Sequence, residues 1–270
     1  MAKRTDTPKE IAKVGQGDIP AWLAEAAAND ASVQGMEEYR ILPRLKIVQA
    51  MSDSALKKEF GEGSIVVTPG NALVCKDGET VSFVPIFFWT EFCLWSDRDD
   101  TETDMILGRS FDPTSEIAVK SRDADQRQVK YGSDGKFVRR YVEHLNFCGI
   151  IYGDHELASA PVVQSFSKGE FSKGRAFCSA IMMRKVGGVQ VPLWAQVWNF
   201  TPGFREKGSK KWWGIDFANP GHENAFITES EMPTAKALYE ELKADFDKQR
   251  LIVDRRDEAD EDEPLDAPEM

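Results

Sequence analysis

Residues 137–152, FVRRYVEHLNFCGIIY, follow the turn Gly132-Ser133-Asp134-Gly135 and read as one long β-strand, rich in β-branched and aromatic residues. Pro161–Phe166 reads as a second strand. Over Ser167–Lys185 the residues Phe171, Gly174/Arg175, Cys178, Ile181 and Met182 recur at helical spacing, although Gly169 and Gly174 weigh against a helix. A Gly187-Gly188 turn leads into a strand over Val189–Phe200, and a short strand follows over Lys211–Phe217. Glu229–Arg250 closes the series as a helix whose apolar stripe is Ala237, Leu238, Leu242, Phe246 and Leu251. From residue 137 onward the order is strand, strand, helix, strand, strand, helix. Small five-stranded Greek-key barrels of the OB type carry a helix between their third and fourth strands.

Upstream, Arg44–Gln49, Ser64–Thr68 and Val81–Trp89 read as strands, the last continuing into Phe92–Trp95 with Thr90-Glu91 as a bulge or bend. Ser96–Asp104 (SDRDDTETD) is a polar loop, and the region from there to the Gly132 turn is weakly patterned. The expectation is a mainly β chain with a few helices: an OB-fold-like five-stranded barrel with extensions, a C-terminal helix and a disordered acidic tail. Residues 1–35 read as a flexible leader with a short helix over Pro20–Ala28, residues 36–253 as an OB-fold DNA-binding domain with inserted loops, and residues 254–270 as the tail.

The chain has 270 residues, of which 41% are hydrophobic, so it can bury a core. The uncharged apolar run Val81–Thr90 is too short to span a bilayer as a helix, and no apolar segment follows the charged N-terminus, so neither a membrane protein nor a secreted one is expected. Cys75, Cys93, Cys148 and Cys178 form no CxxC, have no histidine at ligand spacing and sit in apolar stretches, which predicts buried thiols in a reducing cytoplasm. The formal net charge is −11, but its distribution matters more. Residues 161–213 carry +7, whereas residues 254–270 carry −7.

That basic stretch is interleaved with Phe166, Phe171, Phe177, Trp194, Trp198, Phe200, Phe204, Trp212 and Trp213. Single-stranded nucleic acid needs both ingredients: cations along the phosphates, and flat rings that stack on unpaired bases at roughly 1–3 kcal/mol each. The segment Phe200–Trp213 (FTPGFREKGSKKWW) reads as a hairpin loop carrying Arg205, Lys207, Lys210 and Lys211. In OB folds the loop between strands four and five lines the oligonucleotide site. Lys168, Lys173 and Arg175 join these as candidate phosphate contacts, with Arg139 and Arg140 of the long strand in second rank. Trp198, Phe204, Trp212 and Trp213 are the candidate stacking rings. Core packing is the competing assignment for each ring, and an ordinary solvated hairpin for the lysines. The tail reads as a DNA mimic that competes for the basic groove or hooks basic partners, with a plain solubility role as the alternative.

Enzyme readings find little support. Asp97, Asp99, Asp100, Glu102 and Asp104 could hold a nuclease metal, but no second spaced carboxylate set accompanies them, and a solvated loop explains them. His144, His155 and His222 stand in no nucleophilic motif, and neither GxxxxGK[ST] nor GxGxxG occurs. No catalytic residue, metal site or cofactor is expected.

With these residues assembled, the chain resembles bacteriophage single-stranded DNA-binding proteins. The resemblance spans roughly residues 40–215. It rests on Leu42–Gln49 (LPRLKIVQ), on Val84–Trp89 (VPIFFW) running into Trp95-Ser96-Asp97-Arg98, on the Ser/Lys/Arg-rich helix around Ser167–Arg175, and on Pro192–Trp198 (PLWAQVW). It implies an OB-fold core without catalytic residues that protects displaced strands during phage DNA replication and recombination in the cytoplasm of the bacterial host. It further implies an acidic tail that recruits replication or recombination proteins and curbs the protein's own binding. The tails of such proteins often finish on an apolar tip, whereas this chain ends Asp266-Ala267-Pro268-Glu269-Met270. Single-stranded DNA is the expected partner, duplex DNA a further candidate and a homodimer a candidate assembly. The alternative is a non-enzymatic structural or adaptor protein of a phage replisome or particle.

Overall fold

The computed structural model describes residues 40–97, 99–100, 105–158, 160–221 and 223–255. The leader, the Pro20–Ala28 helix, Glu102, Asp104, His222 and the tail from residue 256 onward lie outside them. In chain order the elements are β1 (Ile41–Leu42), β2 (Arg44–Ile47), α1 (Ser54–Phe60), β3 (Ile65–Thr68), β4 (Ala72–Cys75), β5 (Val81–Trp95) and β6 (Ile106–Ser110). Then come α2 (Glu116–Arg122), β7 (Gln128–Tyr131), β8 (Phe137–Tyr152), β9 (Pro161–Phe166), α3 (Phe171–Met183), β10 (Lys185–Val186) and β11 (Val189–Gln190). The last four are β12 (Trp198–Lys207), β13 (Lys210–Ala218), α4 (Met232–Asp247) and β14 (Ile252–Val253).

β5 and β8 form the spine. They run antiparallel along nearly their whole length, from Ser82 opposite Tyr152 to Trp95 opposite Arg140. Both are long because each serves two sets of neighbours. Their inner halves pair with β12 and β9, and their outer halves with β6 and β7. β5 reads as a nearly continuous apolar run, and β8 becomes one only from Phe147 onward, where both faces are covered. Phe83, Leu145, Phe147 and Ile151 enter one core with Phe177 and Ile181 of α3, while Val84, Ile86 and Cys148 enter a second with Ala235 and Leu242 of α4. The bulge lies between Pro85 and Phe87, not at Thr90-Glu91. Proline brings no N–H to the ladder, and the extra residue shifts the pleat so that Ile86, Phe87 and Trp89 all reach the second core.

The main sheet runs β13-β12-β5-β8-β9-β2-β3-β4. The mainly β expectation holds; the ladders of the described residues form an open sheet and do not show the expected five-stranded barrel. β2 joins β9 in parallel at Arg44 opposite Val163, beyond which β3 and β4 continue the sheet. No ladder joins β13 to β2 among the described residues; a side chain two residues past the end of β2 reaches β13. Gln49 Nε2 donates to the Trp213 carbonyl at 2.7 Å, and Gln49 Oε1 accepts from the Trp213 N–H at 2.8 Å.

The expected strand over Val189–Phe200 is divided into β11, a 3-10 turn at Leu193–Ala195 and the start of β12, because Pro192 interrupts it. Gly174, a weak point by propensity, is required: a Cβ there would press on Phe166 and Leu145 where α3 packs over β8 and β9. Finally, the folded chain passes Val253. β14 pairs with β1, the Asp254 N–H reaches the Leu42 carbonyl, and Arg255 is 1% exposed. The boundary expected at residue 254 therefore moves beyond Arg255. Among the described residues no helix is long and apolar enough to cross a membrane.

Candidate functional site

Between the β5–β8 insert and the β12–β13 hairpin lies a groove of about 820 Å³. α2 and the outer half of β8 form one wall; the turn Lys168–Glu170, the first turns of α3 and the hairpin form the other. Seven cations line it (Arg122, Arg127, Lys168, Lys173, Arg175, Arg205, Lys207) against three carboxylates (Glu143, Glu170, Glu206), with Tyr141, Phe171 and Trp212 among them.

The hairpin floor is built around a bare patch. Gly203 and Gly214 face each other in the ladder, and a Cβ at either would overlap the ion network lying on them: Asp216 and Arg205 over Gly203, Glu170 over Gly214. In that space Arg205 donates from Nη1 and Nη2 to both Asp216 oxygens at 3.0 and 3.1 Å, and from Nε to Glu170 Oε1 at 3.2 Å. Lys173 Nζ meets Asp216 Oδ1 at 2.6 Å, and Trp212 Nε1 donates to Glu170 Oε1 at 3.1 Å. Burial pushes the Glu170 carboxyl above the usual carboxylate range, with Arg205 and Trp212 pulling the other way. Burial opposes ionisation of Asp216 too, but Lys173 and Arg205 outweigh it and hold that carboxyl low.

This changes what several expected site residues can do. Arg205 and Lys173 line the groove with their charge already matched by Glu170 and Asp216. Trp212 is 9% exposed and edge-bonded to Glu170, so its ring is groove wall and not an open platform. Trp198 is corrected outright: it is 4% exposed in the core, and the Arg184 guanidinium sits 3.9 Å from its ring centroid, where a base would have to stack. Lys168, Arg175 and Lys207 line the groove, and Lys210 and Lys211 are exposed at the hairpin end. Phe204 and Trp213 pair on the opposite hairpin face from Arg205 and Trp212, edge to face at 5.3 Å. Phe204 is 51% exposed there. Arg139 lies over the Tyr131 ring at 4.5 Å, and Arg140 stands near Asp97; neither lines the groove.

Two acids of the Ser96–Asp104 loop, Asp97 and Asp100, hold the loop itself. Asp97 accepts from the N–H groups of Val138 and Asp99, and Asp100 accepts from the Tyr131 hydroxyl. Sequence reasoning missed the insert wall. Arg122 forms a bidentate pair with Glu143 at 3.0 and 2.8 Å and lies over the Phe92 ring, and Arg127 and Tyr141 stand beside it. Its only sequence signal is the spacing of Lys120, Arg122, Arg127 and Lys130, masked by Asp123 and Asp125.

Compared with known proteins, residues 13–248 match the model of a family described as Pam3 phage gp34-like protein. No curated protein and no solved structure matches the chain.

Proposed function

We propose that this chain, which belongs to the Pam3 phage gp34-like family, is a non-enzymatic protein that binds single-stranded DNA with little sequence preference. It would coat strands exposed during phage DNA replication and recombination in the host cytoplasm. The observation that carries this reading is the groove, in which seven cations converge from elements far apart in sequence, three of them (Arg122, Lys173 and Arg205) held by carboxylates and the rest lining it with Phe171. An OB-type core is part of the proposal, supported by strand order. β5, β8 and β9 are followed by α3, then by β12, which returns to β5, and by β13. The insert and the hairpin that wall the groove then stand where OB folds place their two oligonucleotide-binding loops. β2, lying between β9 and the β13 side, is the departure from that pattern.

Lys168, Arg175 and Lys207 would follow the phosphates, with Lys210 and Lys211 at the hairpin end, and Phe171 would meet bases. The acidic residues after Arg255 would compete for the same cations and recruit replication proteins. Tryptophan fluorescence titrated with poly(dT) tests the reading: salt-sensitive quenching is expected, with log affinity falling linearly against log salt. Absence of binding at low salt would overturn it. One observation favours the adaptor reading instead. Met182, Met183, Val186 and Val189 are 58–74% exposed on the end of α3 and the β10–β11 hairpin, an apolar finger suited to a protein partner. A complex that forms through it would show little salt dependence.

A further inference from the structure

We infer that Asp216 is a built-in rival of the DNA backbone: it holds Lys173 in the free protein and yields it to a phosphate when a strand enters the groove. This rests on the DNA-binding reading and deepens it, by stating how that site is regulated. The two cations of the hairpin floor are bound in different ways. Arg205 is 17% exposed and commits all three guanidinium nitrogens to carboxylates, Nε to Glu170, Nη1 to Asp216 and Nη2 to both. Withdrawing it would leave the buried Glu170 carboxylate without its cation, a costly state, so Arg205 stays in place. Lys173 is 40% exposed and makes a single side-chain contact among the described residues, from Nζ to Asp216 Oδ1. It lines the groove from the first turn of α3, whereas Asp216 lies outside the groove lining. Lys173 is therefore a groove cation drawn aside by an acid.

An exposed ion pair of this kind contributes little to stability, and an ammonium on a four-carbon stem moves readily from one oxygen acceptor to another. A phosphate oxygen offers the same acceptor chemistry as the carboxylate. Neutralising it also releases counterions condensed on the strand, which favours the exchange at low salt and fades as salt rises. After the exchange Asp216 keeps both Arg205 bonds, so no charge is stranded. Its carboxyl lies below the usual carboxylate range, so it competes as an anion throughout the neutral range. At this position the strand is held by the difference between two anions, which weakens the grip without removing the contact.

Poly(dT) is titrated over a salt series into the natural chain, Lys173→Gln, Asp216→Asn, the double variant and Lys236→Gln, with Tm measured for each. Lys236→Gln removes an equal charge from the exposed face of α4. Lys173→Gln should lower the slope of log affinity against log salt by about one, and Lys236→Gln should leave it unchanged. Asp216→Asn should tighten binding several-fold at low salt with the natural slope, because the phosphate contact is made in both chains and only the rival is lost. The double variant should bind no tighter than Lys173→Gln. A natural slope in Lys173→Gln would make Lys173 a fixed structural partner of Asp216, overturning the inference while leaving the DNA reading in place. A gain from Asp216→Asn that survives in the double variant would be a general effect of removing negative charge and would overturn it as well. Should Asp216→Asn fold poorly, Lys173→Gln carries the test, since Asp216 retains Arg205 there. No binding by any of the chains at low salt would remove the DNA reading and this inference with it.

Discussion

At the scale of single residues, the hairpin floor shows how two glycines and two acids decide the fate of the basic stretch. Gly203 and Gly214 clear the space, and Glu170 and Asp216 fill it with charge that binds Arg205 and Lys173. Gly214→Ala would drive a methyl group into the Glu170 carboxylate, and overpacking of this kind costs about 1–3 kcal/mol. Chemical denaturation should show a lower midpoint with an unchanged slope. Asp216 makes a prediction in pH. Its folded carboxyl is held below the ordinary value, so the unfolded chain binds its proton first, and the stability it contributes is present above the unfolded value near 3.9 and lost as pH falls through the folded one. Asp216→Asn should lower stability at neutral pH and flatten the acid limb of the stability profile. An acid limb of unchanged steepness would show that the network contributes nothing there. Glu170 has the opposite sign: its raised value favours the fold below the ordinary carboxylate range, and that contribution is lost as pH rises through the folded value.

Among the elements, the β12–β13 hairpin presents two faces with different chemistry, since neighbours along a strand point to opposite sides. Lys207 shares the groove face with Arg205, whereas Phe204 sits with Trp213 on the other. Lys207→Gln should lower the slope of log affinity for poly(dT) against log salt by about one, and Phe204→Ala should leave that slope where it is. A Phe204→Ala variant that lost binding as severely as Lys207→Gln would place the strand on the wrong face. The same alternation explains what was legible in the sequence. Phe137–Tyr152 and Pro161–Phe166 coincide with β8 and β9, because β-branched and aromatic residues recur along both and the second half of β8 is buried on both faces. The insert between β5 and β8 did not, since α2 buries only Ala118 and β7 is largely exposed; a groove wall made of short, half-solvated elements leaves no periodic signal. The basic hairpin was legible from composition, but its ion pairing was not, because Asp216 meets Lys173 across 43 residues.

For the whole molecule, the end of the fold decides how the acidic tail must be tested. Arg255 is buried and donates from Nη2 to Glu91 Oε2 at 2.7 Å and to Asn146 Oδ1 at 2.9 Å, with Nη1 at 3.1 Å from His144 Nδ1. Glu91 is itself fully buried, so a chain ending at Val253 would leave its carboxylate with Arg109 at 3.3 Å and the Asn146 amide at 3.4 Å as its partners among the described residues. Breaking one side of a buried pair costs about 3–5 kcal/mol, so that truncation should unfold several degrees earlier and bind DNA poorly for a reason unrelated to tail charge. A chain ending at Arg256 keeps the clamp and removes eight acids and no base. His144 and Asn146 alternate with Leu145 along β8, so the clamp holds the chain end on the face opposite the one that lines the groove. Fourteen residues at about 3.3–3.6 Å each can reach at most roughly 45–50 Å. The prediction is a pair of outcomes in one titration. Ending at Arg256 should leave Tm unchanged and tighten poly(dT) binding most at low salt, where removal of competing charge counts fully. Equal affinity with and without the tail at low salt would make the acidic segment a solubility or partner-binding extension and not a rival of DNA.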